Sequence, residues 1–192
     1  MANPYGDVEL DAKGMRALAH PVRLAILAKL NADGPSTATA LAPDVGATPS
    51  VTSWHLRHLA EHGLVRDSDH PGSGRERWWE ATSRGYRMVV TDDESATAQT
   101  ALLAATERTE GDLVGRWRED DEPRLPLVWR KLAGRANTTI LLSADELAEL
   151  EAAWEQLLAP YVRRKSGDGT IPGDARPVRM LLWTMPSASD DD

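Results

Sequence analysis

Apolar residues recur every three to four positions along the first sixty residues, the period of helices with one buried face. "ELDAKGMRALAHPVRLAILAKLNADG" (9–34) carries two such helices. The second starts at Pro21, a favoured first helical position, directly after His20. Leu24, Leu27 and Leu30, with Ile26 beside them, give it an apolar face, and Gly34 ends it. "PSTATALAPDVG" (35–46) predicts a short helix with Ser36 or Thr37 as N-cap and a stop near Pro43 and Gly46. In "TPSVTSWHLRHLAEHGLV" (48–65), Thr48 is the N-cap, Pro49 opens the helix, and Gly63 closes it after about His62. Two short helices joined by a tight glycine-containing turn make a helix-turn-helix.

The period then changes to two. Leu64-Val65-Arg66 and Arg77-Trp78-Trp79-Glu80 are strand-like, and "SDHPGSG" between them is a turn cluster, so a β-hairpin follows directly as a wing. A helical pattern resumes from about Asp93 to Glu119, with Leu102, Leu103, Leu113, Val114 and Trp117 as its larger apolar residues. After the charged "REDDEPR", the segment "TTILL" (138–142) reads as a strand. Ser143 and Glu146 form a capping box, and Leu147, Leu150, Trp154, Leu157, Leu158 and Tyr161 make one helical stripe. "PVRMLLWTMP" (177–186) reads as a second strand. The expected fold is mainly α with a small β component (α+β). It comprises a winged helix-turn-helix domain over 1–90, then a C-terminal region over 91–192 with a long helix and a strand–helix–strand unit.

Composition narrows the classes of function. The 192 residues include no cysteine, which excludes disulfides and thiolate metal sites. No basic segment followed by an apolar run opens the chain, and no stretch of about 18 apolar residues occurs. The expected location is therefore cytoplasmic, with no membrane partner. The net charge of −8 is unevenly spread. Residues 1–90 hold ten basic and ten acidic residues, whereas 91–192 hold 12 and 20. The neutral half is the one able to approach a phosphate backbone.

These motifs resemble a known family. "ALAHPVRLAIL", followed at helix-turn-helix spacing by "TPSVTSWHLRHLAEHGLV" and then "GRERWWEAT", is similar to the ArsR-type winged-helix transcriptional regulators of prokaryotes. The resemblance covers about residues 10–90. The remaining half is more loosely similar to the C-terminal extensions of some actinobacterial members. The family implies a homodimeric repressor released from its operator by an effector, often a metal or metalloid ion. Its arsenic and cadmium sensors use cysteines, which are absent here. Its zinc and nickel sensors use histidines on the helix after the wing, where residues 91–119 have none. The DNA-binding part of the resemblance carries over and the metal part does not, so no cofactor is expected.

Residue by residue, Thr52, Leu56, Leu59 and Gly63 fall on one side of the second motif helix and form its inward seam with Leu64 and Val65. Ser50, Ser53, Trp54, Arg57 and Glu61 lie opposite. Short hydroxyls near a helix N-terminus suit phosphates and base edges, and an arginine can fork onto guanine. The candidate DNA-binding residues here are Thr48, Ser50, Val51, Ser53, Trp54, Arg57 and His58. A solvated surface is the plainer alternative. Trp54 either touches a sugar or thymine methyl or packs against the wing or a partner subunit. His55, His58 and His62 could ligate a metal, but no carboxylate completes the set. His55 fits a satisfied, half-buried structural role better, and His58 suits a phosphate contact.

In the wing, Arg75 and Arg77 alternate onto one face and suit phosphate or minor-groove contact, unless they pair with Glu76 or Glu80. Trp78 and Trp79 point to opposite faces. No Walker loop, HExxH or GxSxG motif occurs, so no enzyme is expected. Trp117, Trp129, Trp154 and Trp183 suit a core in a chain without phenylalanine, or else a pocket for a small organic effector. The reading is therefore a dimeric regulator that binds double-stranded DNA. A protein-interaction module built on a winged-helix scaffold, with the acidic half as its binding surface, is the alternative.

Overall fold

The computed structural model describes residues 5–69, 76–164 and 170–188. A short strand β1 (Val8–Leu10) leads into helix α1 (Ala12–Leu18), whose N-cap Asp11 accepts a 2.8 Å hydrogen bond from the Gly14 amide. Helix α2 (Pro21–Asp33) begins at Pro21 as the pattern predicts, and its cap is the ring of His20. A two-residue strand β2 (Ser36–Thr37) follows, absent from the sequence reading. Thr37 then caps helix α3 (Ala38–Asp44). Helix α4 (Pro49–Glu61) is capped by Thr48. Gly46 and Gly63, with φ of +64° and +69°, make the sharp turns on either side of α4 that a side chain would strain.

Strands β3 (Val65–Asp67) and β4 (Trp78–Ala81) form the antiparallel wing, and β2 adds to the far edge of β4 in the order β2-β4-β3. Strand β5 (Tyr86–Met88) runs parallel to β1, with Val8 opposite Tyr86 and Leu10 opposite Met88. This two-stranded pairing was not anticipated either. Helix α5 (Asp93–Glu110) packs back on α1 and α2. Its buried face is Ser95, Ala98, Leu102 and Ala105, where the two alanines permit close approach to α1. The core joins Met15 and Leu18 of α1 and Ile26, Leu27 and Leu30 of α2. Leu41, Leu56, Leu59, Leu64, Trp79 and Leu102 complete it. Each large side chain so buried contributes about 1.5–3 kcal/mol.

Beyond α5 the structure departs from expectation. The helix stops at Gly111 rather than near Glu119. A four-residue helix α6 (Leu113–Arg116), one turn of wider π geometry, a 3-10 turn and helix α7 (Leu127–Arg130) take its place. Asp112 caps the new start through its 2.7 Å bond from the Gly115 amide. The predicted capping box is present ahead of helix α8 (Ala144–Arg164), with reciprocal bonds between Ser143 and Glu146. The predicted strands at 138–142 and 177–186 are not strands: neither segment takes regular structure, and no ladder among the described residues includes either. A strand exists only when a neighbouring chain segment takes its hydrogen bonds. Among the described residues nothing does, and Leu141 is 97% exposed. No helix of the described residues is long and apolar enough to cross a membrane.

Candidate nucleic-acid interface

The inward seam of α4 is as the period predicts: Thr52, Leu56 and Leu59 are fully buried, with Leu64 and Val65 behind them. Gly63 is exposed and only ends the helix. The Thr48 hydroxyl accepts a hydrogen bond from the Val51 amide at 3.4 Å, and the Thr52 hydroxyl donates to the Thr48 carbonyl at 3.0 Å. These bonds hold the first turn of the helix. Ser50, Val51, Trp54 and Arg57 are exposed along one side, with Ser53 and His58 half-buried at its border. Six of the seven α4 and N-cap candidates thus lie on or beside one outward surface; the seventh, Thr48, is exposed but has its hydroxyl committed to the cap.

Trp54 is 53% exposed. One ring face stacks on His58, with the planes 2° apart and the centroids 5.6 Å apart, and its edge meets His55. The covering group is therefore a neighbour on its own helix. His58 also lies 3.4 Å from Glu61. Arg57 holds no hydrogen bond or ion pair among the described residues, so its five guanidinium donors are available to a ligand.

The three histidines do not converge. His55 turns inward to 5% exposure and meets the ring of His20 at 4.8 Å. His58 lies against Trp54, and His62 makes an edge contact with His58. No group of three metal-ligating side chains occurs among the described residues. The expectation of a satisfied, half-buried His55 needs correction on both points. The residue is buried, because the ring of His20 at the N-terminus of α2 packs over that flank of α4. Its Nδ1 has no hydrogen-bond partner.

His20 does find one partner: its Nδ1 accepts from the Val22 amide at 3.2 Å, so the ring itself caps α2. Burial pushes both histidines below the usual imidazole range. For His20 the Arg23 guanidinium adds to this, and for His55 the charges of His20, Arg23 and His58 do. Both rings are neutral at neutral pH. A sequence signal for this pair existed in a histidine placed just before a helix-opening proline.

Among the described residues of the wing, the arginines pair within it. Arg77 forks onto Asp67, which holds that carboxyl below the usual carboxylate range. The guanidinium also sits 4.1 Å over the ring of Trp79. The partner is thus the cross-strand Asp67 rather than Glu76 or Glu80. Glu80 takes Arg66 at 2.7 Å and the Ser68 hydroxyl at 3.0 Å, and both lower its pKa. Glu76 takes the Thr39 hydroxyl of α3. Trp79 is 2% exposed and Trp78 is partly exposed, as alternation demands. Arg75 and the Gly72–Gly74 tip lie outside the described residues. The wing is tied to the end of α4 by a 2.6 Å bond from the Thr82 hydroxyl to the Gly63 carbonyl.

Helices α2, α3 and α4, a hairpin behind α4, and the outward face on α4 define a winged helix-turn-helix fold. In agreement, a family model described as a helix-turn-helix domain matches residues 18–67, from the end of α1 through β3. Domains of this kind suit DNA-binding regulators. No curated protein matches the chain.

Proposed function

We propose that this chain is a sequence-specific DNA-binding transcriptional regulator of ArsR-like type. In this reading it acts as a homodimeric repressor that occludes a pseudo-palindromic operator, in the cytoplasm, without enzymatic activity and without a thiolate metal site. The observation that carries the reading is the outward face of α4. Exposed Ser50, Trp54 and an ion-pair-free Arg57 sit beside the amide end of a 13-residue helix whose opposite face is locked into the core. That end attracts phosphate, and the arginine can fork onto guanine in a major groove.

Dimerisation is part of the proposal for two reasons. One recognition helix buries too little surface for specific affinity, so paired half-sites are needed. Residues 127–185 also expose many large apolar side chains, with Leu132 and Met185 each 79% accessible. An apolar surface so extensive marks an interface in a folded protein.

The test is selection of bound sequences from a random duplex pool, with purified, chelator-treated protein of known oligomeric state. Recovery of an inverted repeat supports a dimeric regulator that binds without metal. Absence of enrichment from a folded dimer refutes it. One observation favours the second reading, a protein-interaction module: the wing cations Arg66 and Arg77 are both held by carboxylates. In that case duplex affinity stays weak and shows little dependence on salt.

A further inference from the structure

Where the winged-helix body meets α8 lies an open cleft of about 610 Å³ that the DNA reading does not use. Its size falls in the range of small-molecule sites, roughly 300–1,000 Å³. One wall is the β1–β5 pair, with Tyr86, Met88 and Val89; the other is α8, with Trp154; Leu182 and Tyr5 border the two. Four carboxylates line the same space: Asp7, Glu9, Glu151 and Glu155. The one cation lining it among the described residues, Arg87, is already committed to Glu155 at 2.6 Å. Burial and the nearby Glu155 carboxylate raise the pKa of Asp7, while Arg87 and Arg84 act in the opposite direction. Among the described residues the cleft therefore combines aromatic side chains with more carboxylates than cations.

We propose that this cleft binds a small organic cation, an alkylated amine or quaternary ammonium with an apolar or aromatic body. Trp154 and Tyr86 on the lining are side chains whose ring quadrupoles attract such a cation, and the carboxylates supply the long-range field. A neutral apolar ligand would gain nothing from Glu9 and Glu151, and an anion would meet them directly. The site spans β1 and β5 on one side and α8 and Leu182 on the other, so an occupant ties the C-terminal region to the domain that carries α4.

The test uses the full chain without DNA, so its outcome is independent of the DNA reading. Benzyltrimethylammonium, its carbon isostere neopentylbenzene, and 4-tert-butylbenzoate are titrated while tryptophan indole N–H resonances are followed. The expected result is saturable binding of the ammonium compound alone, with the Trp154 resonance shifting. Glu151→Gln, a change on an exposed helix position, should weaken that binding at least five-fold and leave the melting temperature unaltered. Trp154→Leu should abolish it. Equal affinity for neopentylbenzene overturns the charge argument, and preference for the benzoate would mean that Arg87 selects the ligand. Failure of all three compounds to bind overturns the site.

Discussion

Arg57→Ala is the perturbation that most directly tests which surface of α4 faces DNA. The side chain is exposed and makes no hydrogen bond or ion pair among the described residues. Its removal breaks nothing in the fold, and surface changes of this kind move stability by no more than about 0.5 kcal/mol. On DNA the loss is large if the guanidinium forks onto a guanine, since a bidentate contact carries about 1–3 kcal/mol of discrimination. A dimer loses it twice, so about 2–6 kcal/mol, or roughly 30-fold to 10⁴-fold in affinity, is expected for the selected operator. Affinity for a scrambled duplex should change far less.

The assay is fluorescence anisotropy on both duplexes across a range of salt concentrations, with chemical denaturation as the control for folding. Salt dependence separates two versions of the contact. A base contact relaxes specificity at one position in each half-site and leaves the slope unchanged. A phosphate contact weakens both duplexes alike and reduces the slope by about 0.9 per neutralised phosphate. Unchanged operator affinity in a folded variant would mean that another surface meets the DNA.

Three further outcomes follow from the geometry. Asp67→Ala releases Arg77 from its internal partner, so duplex affinity should rise and the salt slope should steepen by about 0.9 per protomer; no change in either would place the wing away from the backbone. Trp79→Ala empties a 2%-exposed site at the base of the hairpin, and a destabilisation of about 3–5 kcal/mol is expected by urea unfolding. His20 and His55 titrate lower in the folded state than in the unfolded chain, so the unfolded state binds protons first as pH falls. Stability is then complete above about pH 6.5 and declines below it, and His55→Leu should flatten that decline in melts across pH 5–8.

The first ninety residues were legible because each local signal agreed with the global one. Pro21 and Pro49 open their helices, Thr37 and Thr48 cap theirs, and the leucines at 56 and 59 face the core that the 3.6-residue period assigns them. What was missed there is pairing between distant segments. Strands β1 and β2 are three and two residues long, too short to carry a period, and exist because β5 and β4 accept their hydrogen bonds. His55 was misplaced for a similar reason. Its position on α4 puts it on the flank, and only the arrival of His20 from α2 makes that flank interior. The Arg77–Asp67 fork follows from hairpin register, which the turn cluster "SDHPGSG" alone does not fix.

The second half resisted reading because its pattern describes surfaces whose partners the pattern does not name. The stripe along α8 is correct as a helix, yet Leu150, Leu157 and Tyr161 on it remain exposed. The alternation in 177–186 is also real. Leu181 and Trp183 turn towards the end of α5 and α6, while Leu182 and Thr184 turn towards β5 and α8. Among the described residues this segment enters no ladder and its apolar side chains stay largely exposed, so it is open to a neighbouring strand. A second copy of the chain is the neighbour that the regulatory reading requires in any case. Pairing there would cover the exposed apolar positions and join the two recognition helices through one assembly. Sedimentation of Met180→Glu with Leu182→Glu tests the point. A monomer that still folds, with operator affinity lost and non-specific affinity kept, is the expected result, and a dimer unaffected by both charges would place the interface elsewhere.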